Sequence, residues 1–360
     1  MPPELGKKGI HPRQNLRNKG RIKVKRIWFN HWFSTVYHLI NLIVKDEKDK
    51  YTIIGTNERD FVAYKCACDQ WYSEPIGLDD DEYVEFCLSF CKEHKIDIFA
   101  PRKKMIAISK AHKKFESIGV KLLVDSSYEI IEMLEDKAQA YEYFKEKIPS
   151  YIPEYRVAYS YDEFVEMYEE LQKTAPRVCY KLISDEGARS FRVIDNTIES
   201  GKGIFEKPGT KITIEAAKKV LSQYDFSVPM LLMPYLSGVE VSVDCLSTCQ
   251  GSLIIPRFKN NKRYSEIIFD KELMHVCDEI MNTLKLKHPM NIQFKMDGDR
   301  YYLLEINTRM SGGLQLSCEA SEINLPKIAI KELLGEKGKW GYPSFNSRKV
   351  VHIETPIRLD

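Results

Sequence analysis

Apolar residues along this chain change their spacing twice, and the changes divide it into regions. Between residues 22 and 125, short β-rich runs alternate with helix-spaced ones. Ile22–Phe29, Tyr51–Gly55, Ile96–Ala100 (closed by Pro101) and Val120–Val124 predict strands. Thr35–Lys45, Asp81–His94 and Lys104–Ser117 predict helices. In the second of these, Tyr83, Phe86, Cys87, Phe90 and Cys91 share one stripe. Such alternation implies a small parallel sheet covered on both faces. Its first turn lacks the spaced glycines of a dinucleotide fingerprint, so it is not read as a nicotinamide site.

A second region starts near Ser126. Helices are predicted over Ser127–Leu134 and Lys137–Lys147, stopped by Pro149 and Pro153. Strand Tyr155–Ala158, helix Asp162–Lys173, strand Arg177–Leu182, a polar run Ser184–Ser190, strand Phe191–Ile194 and helix Thr213–Gln223 follow. From Pro229 the pattern is mostly that of antiparallel strands. Pro229–Leu236 is apolar. Along Val239–Leu246, Val239, Val241, Val243 and Cys245 face one way, while Glu240, Ser242 and Asp244 face the other. Gln250-Gly251 predicts a turn, and Ser252–Phe258 returns. Helix Lys271–Leu284, a hairpin and a last helix over Leu316–Leu334 complete the pattern. The fold class is therefore α/β with an α+β character.

Composition changes this picture little. A length of 360 residues suits two or three packed units. A net charge of +2 gives the whole molecule no strong bias toward nucleic acid or membrane, and no apolar run reaches the length of a membrane span. The nine cysteines sit in apolar or helical surroundings. They are read as reduced thiols of a cytoplasmic protein, not as a disulfide framework or a zinc site. One segment stands apart: the first 26 residues carry nine Lys or Arg against the single acid Glu4. Residues 1–21 are read as a basic, solvated extension, with an arm for an anionic surface as the alternative.

Chemistry concentrates in Asn291–Arg309. Asp297-Gly298-Asp299 is expected to form a three-residue hairpin loop, pairing Met296 with Arg300 and Gln293 with Leu303. Ile292, Phe294, Met296, Tyr302, Leu304 and Ile306 would then form a core face. Asn291, Gln293, Lys295, Tyr301, Leu303, Glu305, Asn307 and Arg309 would share the other. Glu305 and Asn307 supply hard oxygen atoms of the kind Mg²⁺ prefers. Arg309 can clamp an anion. A solvated sheet face is the alternative. Lys181 ends a strand beside the glycine-containing polar run, which suits phosphate binding, though an exposed hairpin lysine would look the same. Glu240 can accept hydroxyl donors or be an exposed sheet carboxylate.

In order, Asp136-Lys137, Lys181 with Ser184–Ser190, Leu232-Met233-Pro234-Tyr235-Leu236-Ser237-Gly238-Val239-Glu240, Gln293-Phe294 and Leu304-Glu305-Ile306-Asn307-Thr308-Arg309 resemble the ATP-grasp superfamily. The likeness is greatest to the branch similar to the carbamoyl phosphate synthetase large subunit. It covers roughly residues 126–335 and implies an ATP-grasp domain there, with a lid subdomain at about 150–235 and an antiparallel C-terminal subdomain. Residues 22–125 would be the small parallel-sheet domain that precedes it, and 336–360 a C-terminal extension. The resemblance implies ATP and Mg²⁺ as cofactors, with Mn²⁺ a substitute. Lys137, Lys181, Gly187 and Ala188 would reach the nucleotide, Met233 and Tyr235 its adenine hinge, and Glu240 its ribose. Gln293, Glu305 and Asn307 would hold metal. Arg309, Arg257 and Lys259 would serve the transferring phosphoryl group and its acceptor, with Arg263 a further cation beside them.

Three departures from the family pattern stand out: Met233-Pro234 where the hinge often has Glu, Leu182 where Pro usually follows the lysine, and a glycine-poor loop. The implied activity is ADP-forming ligation of a small carboxylate to an amine, an amino acid or peptide among the partners, through an acyl phosphate. A homodimer is compatible with it. The alternatives are an enzyme that stops at the phosphorylated intermediate and a non-catalytic ATP-binding protein.

Overall fold

The computed structural model describes residues 24–185, 187, 189–197, 209–260 and 264–358. The basic extension, Ala188 and Arg263 lie outside them. Three sheets organise the described chain. The first is parallel, built from β1 (Lys25–Asn30), β2 (Tyr51–Asn57), β3 (Gln70–Ser73), β4 (Ile98–Ala100) and β5 (Lys121–Leu122) in the order β3-β2-β1-β4-β5. α1 (Val36–Val44) covers one face, and α2 (Asp80–Glu93) packs with Trp28 and Phe99 on the other. α2 starts at a capping box: Asp79 accepts from Glu82 N–H, and the Glu82 side chain accepts from Asp79 N–H. The run predicted as one helix over Lys104–Ser117 is two, α3 (Met105–Lys110) and α4 (His112–Ser117), which meet at Ala111.

Two short helices, α5 (Tyr128–Glu135) and α6 (Lys137–Phe144), lead into a second sheet. It contains β6 (Arg156–Ala158), β7 (Val178–Leu182), β8 (Arg192–Ile194), β9 (Lys211–Ile212) and β10 (Met230–Pro234), ordered β6-β10-β7-β8-β9. α7 (Tyr161–Leu171) and α8 (Ile214–Leu221) pack on it through Phe164, Tyr168, Ala217 and Leu221.

The third sheet is antiparallel throughout. It orders β15 (Arg300–Asn307), β14 (Met290–Asp297), β11 (Glu240–Thr248), β12 (Gly251–Asn260), β13 (Tyr264–Ile267) and β16 (Arg348–Val351). α9 (Lys271–Leu284) buries Leu273, Val276, Ile280 and Leu284 against one face. α10 (Leu314–Ser321) and α11 (Leu325–Leu334) tie the sheet to α1. The single helix expected over Leu316–Leu334 breaks at Glu322, which takes a left-handed conformation. The chain from 336 to 351 is part of the fold: β16 pairs with β13, and Trp340 and Phe345 pack against the core.

The hairpin departs from the expected register. Asp297 pairs with Arg300 and Met296 with Tyr301, around a two-residue turn at Gly298-Asp299. Further along, Phe294 pairs with Leu303 but Gln293 with Glu305, so Leu304 is an extra residue in a bulge. Tyr301 and Leu303 are therefore core residues, while Tyr302 and Leu304 are on the opposite side. A one-residue slip exchanges the two faces of a strand, and the bulge restores Ile306 to the core.

Candidate active site

Between the second and third sheets lies a cavity of about 540 Å³. Its inner end is apolar. Cys179, Met233 and Leu236 are buried there, with Phe191, Tyr235 and Leu304 packed around them. Leu304 reaches this slot because the bulge lets it and its neighbour Glu305 line one cavity. The Tyr235 N–H donates to Arg177 O at 2.9 Å, and the Arg177 guanidinium lies 4.6 Å from the centre of the Tyr235 ring.

The other end is charged. Lys137 occupies the first position of α6, where Asp136 caps the helix by accepting from Ala138 and Gln139 N–H. An ammonium is unfavourable at a helix N-terminus. This one is instead buried against the carbonyls of Ile183 and Asp185 at 3.3 Å and against Glu305 at 3.6 Å. Lys181 on β7 opens onto the same cavity. Burial, reinforced by Lys137 and opposed by Glu305, pushes its pKa down to about 8. Burial raises the pKa of Glu305, but Lys181, Lys137, a hydrogen bond from Asn307 and Arg309 together bring it below the ordinary carboxylate value. Glu305 is thus the anion shared by this group of cations. Asp185 closes the adjoining loop by accepting from Ser190 N–H at 2.7 Å and from the Ser190 hydroxyl at 2.6 Å. Gly187 in that loop has φ +69°, a conformation glycine adopts without the steric cost of a Cβ.

The third sheet supplies the floor, where Glu240 pairs with Lys259 across β11 and β12. Deeper, Arg257 is 4% exposed and donates through Nε to Ser317 and through Nη2 to Ser242, each at 3.1 Å. Burial lowers its pKa while Asp244 and Glu240 act in the opposite sense. The guanidinium rests where Gly313 has no side chain; a Cβ there would come within 2.4 Å of Nη2. The turn 309–313 also meets the first domain. Arg309 stands 5.7 Å from the Phe33 ring centre, and a Cβ on Gly312 would be 3.6 Å from Thr35 Oγ1. Ser311 lines the cavity, and its buried hydroxyl has no hydrogen-bond partner among the described residues.

A second cavity of about 220 Å³ adjoins the charged end and shares Lys137, Asp185, Glu305 and Arg309 with the first. Asn307 faces this smaller space and donates to Glu305 at 3.0 Å. Among the described residues, no three His, Cys, Asp or Glu side chains gather into a metal cluster. All nine cysteines are free, and no described helix is long and apolar enough to cross a membrane.

Residues 226–356 match the family model described as ATP-grasp in the biosynthetic pathway with Ter operon. The carbamoyl phosphate synthase large chain of Clostridium acetobutylicum is 22% identical over 336 residues, covering 87% of this chain and 29% of that one. The Pyrococcus furiosus large chain is 25% identical, covering 76% and 25%. This chain thus spans under a third of those relatives. Among solved structures, the biotin carboxylase domain of Hydrogenobacter thermophilus 2-oxoglutarate carboxylase, with MgADP and bicarbonate, superimposes with TM-score 0.63 at 14% identity, covering 89% and 72%. The N5-carboxyaminoimidazole synthetase of Staphylococcus aureus, with ADP, gives 0.61 at 13%, covering 88% and 79%.

The fold is an ATP-grasp fold.

Within the ATP-grasp frame, the residues singled out in the sequence fall as follows. Lys137, Lys181, Gly187, Met233, Tyr235, Glu240, Arg257, Lys259, Gln293, Glu305 and Arg309 all line the larger cavity. Asn307 lines only the smaller one. Two details differ from expectation. The backbone donor of Tyr235 is already used by Arg177, so Tyr235 offers the cavity only its side chain and carbonyl. Lys259 has its charge met by Glu240. Sequence reasoning missed Cys179, Phe191 and Leu304 in the apolar slot, and gave Asn291 and Lys295 on the floor no role beyond the polar face they share. Ser242, Asp244 and Asn291 were legible as members of polar faces, but nothing local marked them as buried.

Proposed function

We propose that the protein is an ADP-forming carboxylate–amine ligase. The observation that carries this reading is the convergence of Lys137, Lys181, Glu305, Gln293 and Arg309 at one end of a cavity whose other end is an apolar slot. Adenine suits the slot, held between Met233, Cys179 and Leu304. With the Tyr235 N–H engaged, Leu236, the next residue lining the slot, is the hinge residue assigned to offer a backbone donor to the base. Glu240 and its partner Lys259 sit where ribose hydroxyls would bind. The phosphates then lie toward Lys137 and Lys181.

The donor set at that end fits a Mg²⁺ ion. Gln293 Nε2 donates to Asn291 and Asn307 Nδ2 to Glu305, which leaves both amide oxygens and a Glu305 oxygen to coordinate. One carboxylate and two amides suit a cation that keeps waters and phosphate oxygens in its shell. When bound, it neutralises phosphate charge. The protein's own share is orientation and electrostatics, since phosphoryl transfer needs little covalent help from side chains. Arg309, braced over Phe33, holds the acceptor carboxylate in line with the γ-phosphate. Attack gives an acyl phosphate and ADP. Attack of an amine on the acyl carbon, with loss of its proton, then releases inorganic phosphate. The loop closed by Asp185 and Ser190 covers the phosphate end and keeps water from the acyl phosphate.

The test is ADP release by purified protein with Mg-ATP against pooled small carboxylates and amines, including amino acids. Release that requires one acid and one amine, and disappears in Glu305→Ala, supports the ligase reading. Release that requires the acid alone points to an enzyme that stops at phosphorylation. Nucleotide binding without any pool-dependent release points to a non-catalytic role.

A further inference from the structure

Behind the cavity floor lies a polar cluster that the proposed chemistry does not use directly. Asp244 on β11 is 1% exposed and is not among the residues that line either cavity. An isolated carboxylate at that depth is costly unless it is hydrogen-bonded and paired with positive charge. Asp244 is hydrogen-bonded in two directions and interacts electrostatically with the Arg257 guanidinium. Its Oδ2 accepts from Ser317 Oγ at 2.6 Å, and Ser317 Oγ accepts from Arg257 Nε at 3.1 Å. Its Oδ1 accepts from Asn291 Nδ2 at 2.9 Å, while Asn291 Oδ1 accepts from Gln293 Nε2 at 3.2 Å. Ser242 joins the two arms, taking donations from Arg257 at 3.1 Å and Asn291 at 2.9 Å.

Strand register fixes these contacts. Ser242 stands between Arg257 and Gln293, and Asp244 opposite Asn291, on three adjacent strands. Ser317 comes from α10, the helix that follows the Arg309–Gly313 turn. Each arm therefore ends on a side chain that faces the cavity. One holds the Arg257 guanidinium against Gly313. The other orients the Gln293 amide with its nitrogen inward and its oxygen available.

We infer that Asp244 is a positioning residue that sets both sides of the phosphoryl-transfer site from behind, fixing Arg257 through Ser317 and the Gln293 oxygen through Asn291. This rests on the ATP-grasp ligase reading above. In that reading Arg257, which lines the same cavity as Gln293, is the side chain that the family resemblance assigns to the transferring phosphoryl group, and Gln293 faces the cation. Loss of Asp244 disturbs both, whereas loss of Ser317 disturbs only the first. A purely structural role would instead weaken all ligands together.

The experiment is fluorescence titration of full-length protein with N-methylanthraniloyl ADP and its competition by AMP-PNP, across a series of Mg²⁺ concentrations. Wild type is compared with Asp244→Asn, Ser317→Ala, Ser317→Thr and Asn291→Ser, with thermal unfolding recorded for each. Ser317→Ala is expected to lower the preference for AMP-PNP over ADP about tenfold and to leave the half-saturating Mg²⁺ within about twofold of wild type. Ser317→Thr, which keeps the hydroxyl, restores the preference. Asn291→Ser raises the half-saturating Mg²⁺ about tenfold, the scale on which partners of metal ligands act. Asp244→Asn does both.

A folded Asp244→Asn that keeps both values within about twofold overturns the assignment. If that variant does not fold, Ser317→Ala and Asn291→Ser decide: each must move its own quantity and not the other, and a uniform loss in both overturns it. A wild type that binds neither nucleotide removes the reading underneath. A wild type that binds both, with unchanged variants, removes the positioning role alone.

Discussion

The two ends of the larger cavity are built in opposite ways. At the charged end, Lys137, Lys181 and Glu305 come from α6, β7 and β15, three elements far apart in the chain; Lys137 and Glu305 are held by polar contacts, and Lys181 is buried within reach of their charges. At the apolar end, Cys179, Met233, Leu236 and Leu304 are held by packing between two sheets and make few polar contacts. The first end depends on charge balance and the second on shape. Loss of one charge should therefore cost far more than loss of one apolar contact.

The largest effect is expected from Glu305→Ala. It takes from Lys137 and Lys181 an anion that they share and removes the carboxylate proposed to hold the cation. ADP release should fall by about a hundredfold or more, with the thermal transition still cooperative. If turnover stays near wild type, the charged end is not where the chemistry occurs.

Lys181→Met comes next, with an expected loss of nucleotide affinity of about ten- to a hundredfold. Its pH dependence is the sharper reading. With a pKa of about 8, Lys181 is charged below that pH and neutral above it. Nucleotide affinity should accordingly fall as pH rises through 8, and calorimetry should show a flatter profile in the variant. Stability without nucleotide has the opposite sign. The folded chain binds this proton less readily than the unfolded one, so stability rises from pH 8 toward the ordinary lysine value. It is lower once pH drops below 8.

Gly313→Ala is a smaller, more local change. The backbone there has φ −109°, open to any residue, so the added methyl acts only by displacing the Arg257 guanidinium. Turnover should drop about tenfold with ADP affinity nearly unchanged. An equal loss in both would place Arg257 at the nucleotide generally. Met233→Ala should have the smallest effect, weakening ADP and ATP alike by a few-fold through lost contact with the base. A hundredfold loss there would erase the contrast between the two ends.

The same contrast explains what could be read from the sequence. Polar residues at period two along β11 and at the ends of β7 and β15 announce themselves, because a strand puts alternate side chains on one face whatever its partners. Glu240, Lys181, Glu305 and Arg309 were legible for that reason. The apolar slot was not, because its members look like core. Leu304 was assigned to the core face and Tyr301 and Leu303 to the open one. The two-residue turn at Gly298-Asp299, a property of two paired strands, exchanges them, and the bulge opposite Gln293 and Phe294 then returns Glu305 to the open face and Ile306 to the core. Likewise β3 is too short to read from four residues, and β16 is defined by its pairing with β13. The breaks at Ala111 and Glu322 fall inside runs that keep a helical spacing, so periodicity alone hides them.

The most direct measurement of the central claim is isotope transfer. The pooled carboxylic acids would be labelled with ¹⁸O in both carboxylate oxygens and incubated with the protein, Mg-ATP and the amine pool, and the phosphate released with ADP analysed by mass spectrometry. The account requires one ¹⁸O atom in each phosphate formed, carried there from the acid through the acyl phosphate. Phosphate that forms with ADP yet contains no label would show that water, not a carboxylate, accepts the phosphoryl group, and would contradict the ligase mechanism.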